Sequence, residues 1–174
     1  MLIVGASGGV GTFAVQIARL LGADVTAVCS AGKASLALRL GADRVIDYTK
    51  EDFARGDARY DLVFAINGSR TLADYRRVLT PSGRYLMAGG AWPQIRDGIF
   101  VAPLLSIGSR QKFGASESRA TTRDLVHLGD LLEQGRIEPV LDRRYPLAQA
   151  PDAIRYIEGG HAAGKVILEV RDGA

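Results

Sequence analysis

The chain has 174 residues, 47% of them apolar and 24% charged, with a net charge of +3 at neutral pH. That is the make-up of a globular domain large enough for a real core; no apolar run reaches the length of a membrane span, and no basic stretch precedes the first apolar residues as in a signal peptide. The cations are dispersed, without the basic run or interleaved aromatics of a nucleic-acid binder, and one cysteine with two histidines excludes an internal disulfide and argues against a structural zinc, so a reducing cytoplasm is the expected setting.

Met1-Leu2-Ile3-Val4 is an uncharged run that ends in Gly5, Gly8, Gly9 and Gly11. Val10, Ala14, Ile17, Ala18 and Leu21 then recur at helical spacing as far as Gly22. Strand, glycine turn and helix open a βαβ unit. Its glycines let the backbone approach a pyrophosphate, whose charge the helix N-terminus favours. The turn reads Ala6-x-Gly8-x-x-Gly11, with alanine where the dinucleotide fingerprint has its first glycine. Its weight comes from context: a strand before, a helix after, and a second strand at the right distance.

Asp24 to Cys29 reads as that second strand, and a helix is expected from about Lys33 to Leu40, stopped by Gly41. Arg44 to Ile46 is a third strand and Asp61 to Ile66 a fourth; Asn67-Gly68-Ser69 then turns into a helix through Leu79. Thr80 to Gly83 reads as a turn and Arg84 to Ala88 as a fifth strand. Between residues 91 and 111, Trp92-Pro93 and Ala102-Pro103 predict a loop with a short helix or two. A sixth strand spans Gln111 to Ala115. A long helix follows from Thr122 to Gln134, with Thr121-x-x-Asp124 resembling a capping box. The tail has an extended piece from Val140 to Pro146, a helix opening at Pro151, a Gly159-Gly160 stop and a last strand, Lys165 to Val170. Strands alternating with helices predict an α/β fold of Rossmann type, a doubly wound parallel sheet in three layers.

In such a fold the tip of the second strand reads the adenosine ribose, through a carboxylate in NAD binders and a cation in NADP binders. Here the tip is Cys29-Ser30, and the next charged residue is Lys33. A lysine in the first turn of a helix opposes the dipole by roughly 0.3–1 kcal/mol. It is either a solvated surface lysine or one that faces a phosphate, and the missing carboxylate favours the second reading, hence NADPH. Cys29 reads as a packed small residue. No residue is assigned as a catalytic acid, base or metal ligand. His127 falls in the amphipathic helix with Leu125, Leu128, Leu131 and Leu132, and His161 in a solvated turn. Gly5-Ala6-Ser7-Gly8-Gly9 also fits the Gly-x-Ser-x-Gly elbow of α/β-hydrolases with Ser7 as nucleophile, but only four residues stand before it, where an earlier strand and oxyanion loop belong.

VGASGGVGTFAVQIARLLGADVTAVCS, LRLGADRVIDYTKEDF, RVLTPSGRYLMAGG and IEPVLDRRYPLAQAPDAIRYIEGGHAAGKVILEV, in that order, resemble the medium-chain dehydrogenase/reductase superfamily, in its quinone oxidoreductase-like, NADPH-dependent branch. The resemblance implies that Ser7, Gly8, Gly9, Val10 and Gly11 form the pyrophosphate turn, and that Ser30, Lys33 and Tyr48 surround the 2′-phosphate. Tyr48 by its own residue type could equally be a packed loop aromatic. It further implies that Asn67, Ala88, Gly89, Phe113 and Gly114 lie along the ribose and nicotinamide, and that Lys165 approaches the cofactor from the C-terminal segment, where by its own residue type it could equally be a solvated lysine opening a strand. The implied reaction is hydride transfer to a quinone, an enone or a related carbonyl substrate, in a homodimer paired through the sixth strand. Members of the superfamily begin with a GroES-like domain that this chain lacks. The expected division is therefore a dinucleotide-binding domain, 1–139, and a segment, 140–174, that packs back on the absent domain of a longer natural protein. A non-catalytic nucleotide-sensing module is the alternative.

Overall fold

The computed structural model describes residues 1–66, 68, 70–90, 92–116 and 120–170, leaving aside the side chains of Pro93 and Gln94. Six strands form one parallel sheet in the order β3-β2-β1-β4-β5-β6: β1 (Leu2–Val4), β2 (Thr26–Cys29), β3 (Arg44–Asp47), β4 (Tyr60–Ile66), β5 (Leu79–Ala88) and β6 (Lys112–Ala115). This is the doubly wound Rossmann order, with the strand sequence reversing between β1 and β4. β1 lies in the middle, pairing Leu2 with Thr26 on one side and with Val63 on the other.

An uncharged β1 follows from that place. Successive side chains of a strand point to opposite faces, so a central strand needs apolar residues at every position. Leu2 and Val4 enter one core with Val63, Tyr75, Tyr85 and Phe113. Ile3 enters the other with Val15, Ala18, Ala27 and Leu36. Helix α1 (Gly11–Leu20) and helix α2 (Ala34–Arg39) supply the second core; α3 (Leu72–Val78), α4 (Trp92–Arg96) and α5 (Ala102–Ser106) cover the first face. Each fully buried aliphatic side chain contributes about 1.5–3 kcal/mol. Among the described residues, no helix is long and apolar enough to cross a membrane.

Three expectations change in detail. The helix expected from Lys33 begins at Ala34, and Lys33 closes a 3-10 turn (Ala31–Lys33) as the N-cap of α2. The expected turn at Thr80 to Gly83 lies inside β5 as a bulge, because Tyr60 pairs with Leu79 while Leu62 already pairs with Arg84. Gly83 is needed there: a Cβ on it would sit 2.8 Å from the Tyr60 carbonyl oxygen. Between 91 and 111, expected as a loop with a short helix or two, the two short helices are α4 and α5, but a π turn (Asp97–Val101) joins them in place of loop. Pro103, in the first turn of α5, gives up an N–H that has no helical partner there, and the wide π turn absorbs the break.

Helix α6 (Thr122–Glu133) opens with the capping box: the Thr121 side chain accepts from the Asp124 N–H and the Asp124 carboxylate from the Thr121 N–H. The chain then forms β7 (Leu141–Pro146), α7 (Ala150–Glu158) and β8 (Lys165–Glu169). β7 and β8 make a separate two-stranded parallel sheet. Buried Gln16 of α1 ties this region down, donating to the Glu138 carbonyl at 3.0 Å and accepting from the Glu138 N–H at 2.8 Å.

Candidate functional site

The C-terminal ends of the parallel strands open into a cleft of about 760 Å³, where doubly wound folds place their ligands. Its floor is the glycine turn. Gly5 has φ +81°, and a Cβ on it would lie 2.2 Å from the Ile66 carbonyl oxygen. A Cβ on Gly11 would lie 2.1 Å from the Gly5 carbonyl oxygen, so both positions admit glycine alone. The turn closes on itself through Gly8 N–H to Gly5 O (3.3 Å) and Thr12 N–H to Gly8 O (3.0 Å). Helix α1 starts at this floor with no side-chain cap and no acidic residue in its first turn. Of its leading N–H groups Thr12's is taken by Gly8, and among the described residues no side chain caps the others, which leaves them open to an outside acceptor.

Ser7, Gly8, Gly9, Val10, Ser30, Lys33, Tyr48, Ala88, Gly89 and Lys165 all line this one cleft. Gly11 lies beneath the turn as its packing glycine. Phe113 and Gly114 are not brought to it: β6 pairs with Arg84 to Met87 at the sheet edge, and the Phe113 ring packs on Tyr85 in the core, 5.9 Å between centroids. Asn67 lies outside the described residues. Tyr48 stands at the mouth, 57% exposed. Its loop is set by Asp47, whose carboxylate accepts from Thr49 N–H (3.1 Å) and Thr49 Oγ1 (2.8 Å) and is thereby held below the usual carboxylate range. Cys29 also faces the cleft; burial first, then the Asp47 charge, push its thiol pKa up, the opposite of an activated thiolate. Ser7 makes no hydrogen bond to a histidine among the described residues, so the hydrolase elbow lacks its base.

The walls carry charge of one sign. Lys33, Arg70 and Lys165 line the cleft, and no Asp or Glu does among the described residues. Arg70 went unread in the sequence. It follows β4 by four residues, pairs with Asp52 at 3.2 Å and stands 6.0 Å from the Phe53 ring centroid. Its signal was its place just past a strand's C-terminal end. Among the described residues Lys33 is paired with no carboxylate; its ammonium donates to the Ala162 carbonyl at 3.1 Å. A contact between residues 129 positions apart leaves no local mark in a sequence.

A close-approach glycine turn, an uncapped helix start and an all-cationic wall fit an elongated ligand bearing phosphates. The sequence matches the model of the family described as zinc-binding dehydrogenase over residues 40–168. The chain belongs to that family. Within the medium-chain dehydrogenase/reductase superfamily, it is 33% identical to the mitochondrial NAD(P)H oxidoreductase RTN4IP1 of Mus musculus, over 97% of this chain and 47% of that protein. It is 30% identical to the chloroplast envelope quinone oxidoreductase homolog of Arabidopsis thaliana, over 97% of this chain and 52% of that protein. The fold superimposes on the quinone oxidoreductase of Coxiella burnetii with a TM-score of 0.84 at 24% identity, covering 98% of this chain and 52% of that one. The chain thus spans about half the length of the relatives it matches. Among the described residues no three of His, Cys, Asp and Glu come together.

Proposed function

We propose that this chain is the NADP(H)-binding half of a medium-chain reductase whose hydride acceptor is a quinone, an enone or a related carbonyl compound. The observation that carries it is the charge of the cleft: three cations and no carboxylate among its described lining residues. An NAD site would place an acid on the ribose at the tip of β2. Here Ser30 occupies the tip and Lys33 stands beside it in the cleft wall.

When bound, the cofactor supplies the hydride; the protein's part is binding and orientation. The glycine turn from Ser7 to Gly11 receives the pyrophosphate. Lys33, Ser30 and Tyr48 take the 2′-phosphate, and Ala88 and Gly89 pass along the nicotinamide ribose. Lys165, beside Gly9, adds positive charge over the turn. Among the described residues the lining holds no histidine, so the chain is assigned no proton-transfer step. β6 is an edge of the main sheet, and a second copy of it is the proposed dimer partner. The exposed apolar residues Leu141, Leu147 and Leu168 of the C-terminal region are proposed to be covered by the rest of the longer protein.

Titration calorimetry of the 174-residue chain with NADPH and with NADH, repeated on Lys33→Ala, tests the reading. NADPH preference that collapses in the variant is the expected result. Preference for NADH would end the assignment of the phosphate site.

A further inference from the structure

The loop between α7 and β8 closes one side of the cleft, and every residue from Ala162 to Lys165 is held by a different part of the chain. The Ala162 carbonyl accepts from Lys33 Nζ at 3.1 Å. The Ala163 N–H donates to Asp142 Oδ2 at 2.9 Å. Gly164 bridges Gly8 of the glycine turn. The Lys165 N–H donates to the Val140 carbonyl at 2.7 Å. Gly164, at φ +103°, fits only without a side chain, since a Cβ would meet the Val140 oxygen at 2.3 Å.

The first two of these contacts belong to one chemical group. The Ala162 C=O and the Ala163 N–H are the two ends of a single planar peptide unit, which cannot turn one end without the other. A carboxylate thus takes its hydrogen while an ammonium gives to its oxygen. Asp142 is in turn fixed by the Tyr156 hydroxyl, which donates to the same Oδ2 at 2.7 Å. The Arg143 guanidinium lies over the Tyr156 ring, 4.0 Å from its centroid, and helps hold that ring in place. Hydrogen bonds in such a chain polarise one another, each charge strengthening the bond at the far end of the peptide.

The geometry points to Asp142 as the positioning residue of the phosphate-reading lysine: through the 162–163 peptide it fixes where the Lys33 ammonium stands in the cleft. One of the three ammonium N–H bonds is spent on Ala162, and two remain for an incoming anion. A four-carbon side chain otherwise spreads over many rotamers, so holding it in advance lowers the cost of binding. This rests on the proposed reading of the cleft as a site for a 2′-phosphorylated adenine nucleotide.

The test compares adenosine 2′,5′-bisphosphate with adenosine 5′-monophosphate, which differ only in the 2′-phosphate, on the 174-residue chain by calorimetry. Asp142→Ala is expected to lower the preference for the bisphosphate by about fivefold, with no further loss in a Lys33→Ala background. Asp142→Asn, which keeps an acceptor for the Ala163 N–H, is expected to restore most of it. Equal weakening of both ligands, or a loss that adds to that of Lys33→Ala, would mean that Asp142 only holds the fold, and would overturn the inference. The position of Lys33 is also read without nucleotide, from its acetylation rate by peptide mass spectrometry. Faster labelling in Asp142→Ala supports the positioning even if the parent shows no 2′-phosphate preference, in which case the nucleotide reading alone falls. Unchanged labelling overturns the positioning whatever the ligand. Tyr156→Phe, which leaves the Asp142–Ala163 bond in place, serves if Asp142→Ala does not fold, and is expected to raise the labelling rate to a smaller degree; no change there counts against the inference.

Discussion

The two sides of the cleft are built on different physics. The floor, Gly5 to Gly11, is steric: backbone packs on backbone, with Gly5 against Ile66 and Gly11 against Gly5. The opposite side, residues 160 to 165, is polar. It is held by one carboxylate, one ammonium, a backbone hydrogen bond to Val140 and a β-bridge to Gly8. A steric wall fails abruptly when an atom is added and ignores pH. A polar wall fails by degrees and follows the charges of its partners. The site therefore combines a rigid seat for the part of a ligand common to all dinucleotides with an adjustable side where ligands differ.

The hardest test of that contrast is Gly11→Ala. Its Cβ would fall 2.1 Å from the Gly5 oxygen and 2.6 Å from the Ala6 carbonyl carbon, both backbone atoms that cannot swing away. A loss of about 3 kcal/mol or more is expected in urea unfolding. Gly8→Ala, three residues earlier in the same turn, meets nothing nearer than the Gly5 oxygen at 3.7 Å, an ordinary contact. It should stay within about 0.5 kcal/mol of the parent. Equal losses at the two positions would show that the floor is not steric.

On the polar side, Lys33→Ala is expected to leave the melting temperature nearly unchanged and to weaken NADPH binding roughly ten- to a hundredfold, the range of one charge-assisted hydrogen bond or ion pair. Gln16→Ala sits between the two regimes. Gln16 is buried and satisfies both the N–H and the carbonyl of Glu138. Removing it should cost about 1–3 kcal/mol. Faster amide exchange from Glu138 onward should accompany the loss, because the tie between α1 and the C-terminal region is cut.

Acid gives the gentlest test. Burial works to raise the Asp142 pKa, but the Ala163 N–H, the Tyr156 hydroxyl and the nearby Arg143 and Lys33 charges outweigh it and hold the carboxyl below its usual range. A depressed carboxylate stabilises the folded state above its unfolded pKa, and that contribution fades as pH falls through the folded value. The melting temperature of Asp142→Asn should therefore fall less than the parent's on going from neutral to acid pH. Asp47 and Asp124, also depressed by their Thr49 and Thr121 contacts, remain in both proteins and cancel in the comparison. Parallel curves would remove Asp142 from the pH-sensitive wall.

Much of this molecule was legible in its sequence. The charge-free Met1 to Val4 run required a strand covered on both faces, and the glycines after it required a turn of close backbone approach. The capping box at Thr121 and Asp124 marked the start of α6. Lys33 could be picked out because local physics disfavours a lysine there. Between 91 and 111 the prolines marked two short helices but not the π turn that joins them, since such a turn can absorb what a regular helix cannot. Phe113 stands apart from the cleft because β6, paired with β5 at the sheet edge, puts Phe113 opposite Tyr85 and its ring into the core.

The sequence by itself determined the alternation of strand and helix, the parallel sheet and the floor of the cleft. These depend on hydrophobic period and on residue types within a few positions of each other. Tertiary structure alone decided that Arg70 joins the cleft wall, that Gln16 pins Glu138, and that one peptide unit near the C-terminus connects Asp142 to Lys33. Those contacts use a backbone carbonyl, a backbone N–H and common polar side chains. Such groups are present at every position, and only the folded chain selects which of them meet.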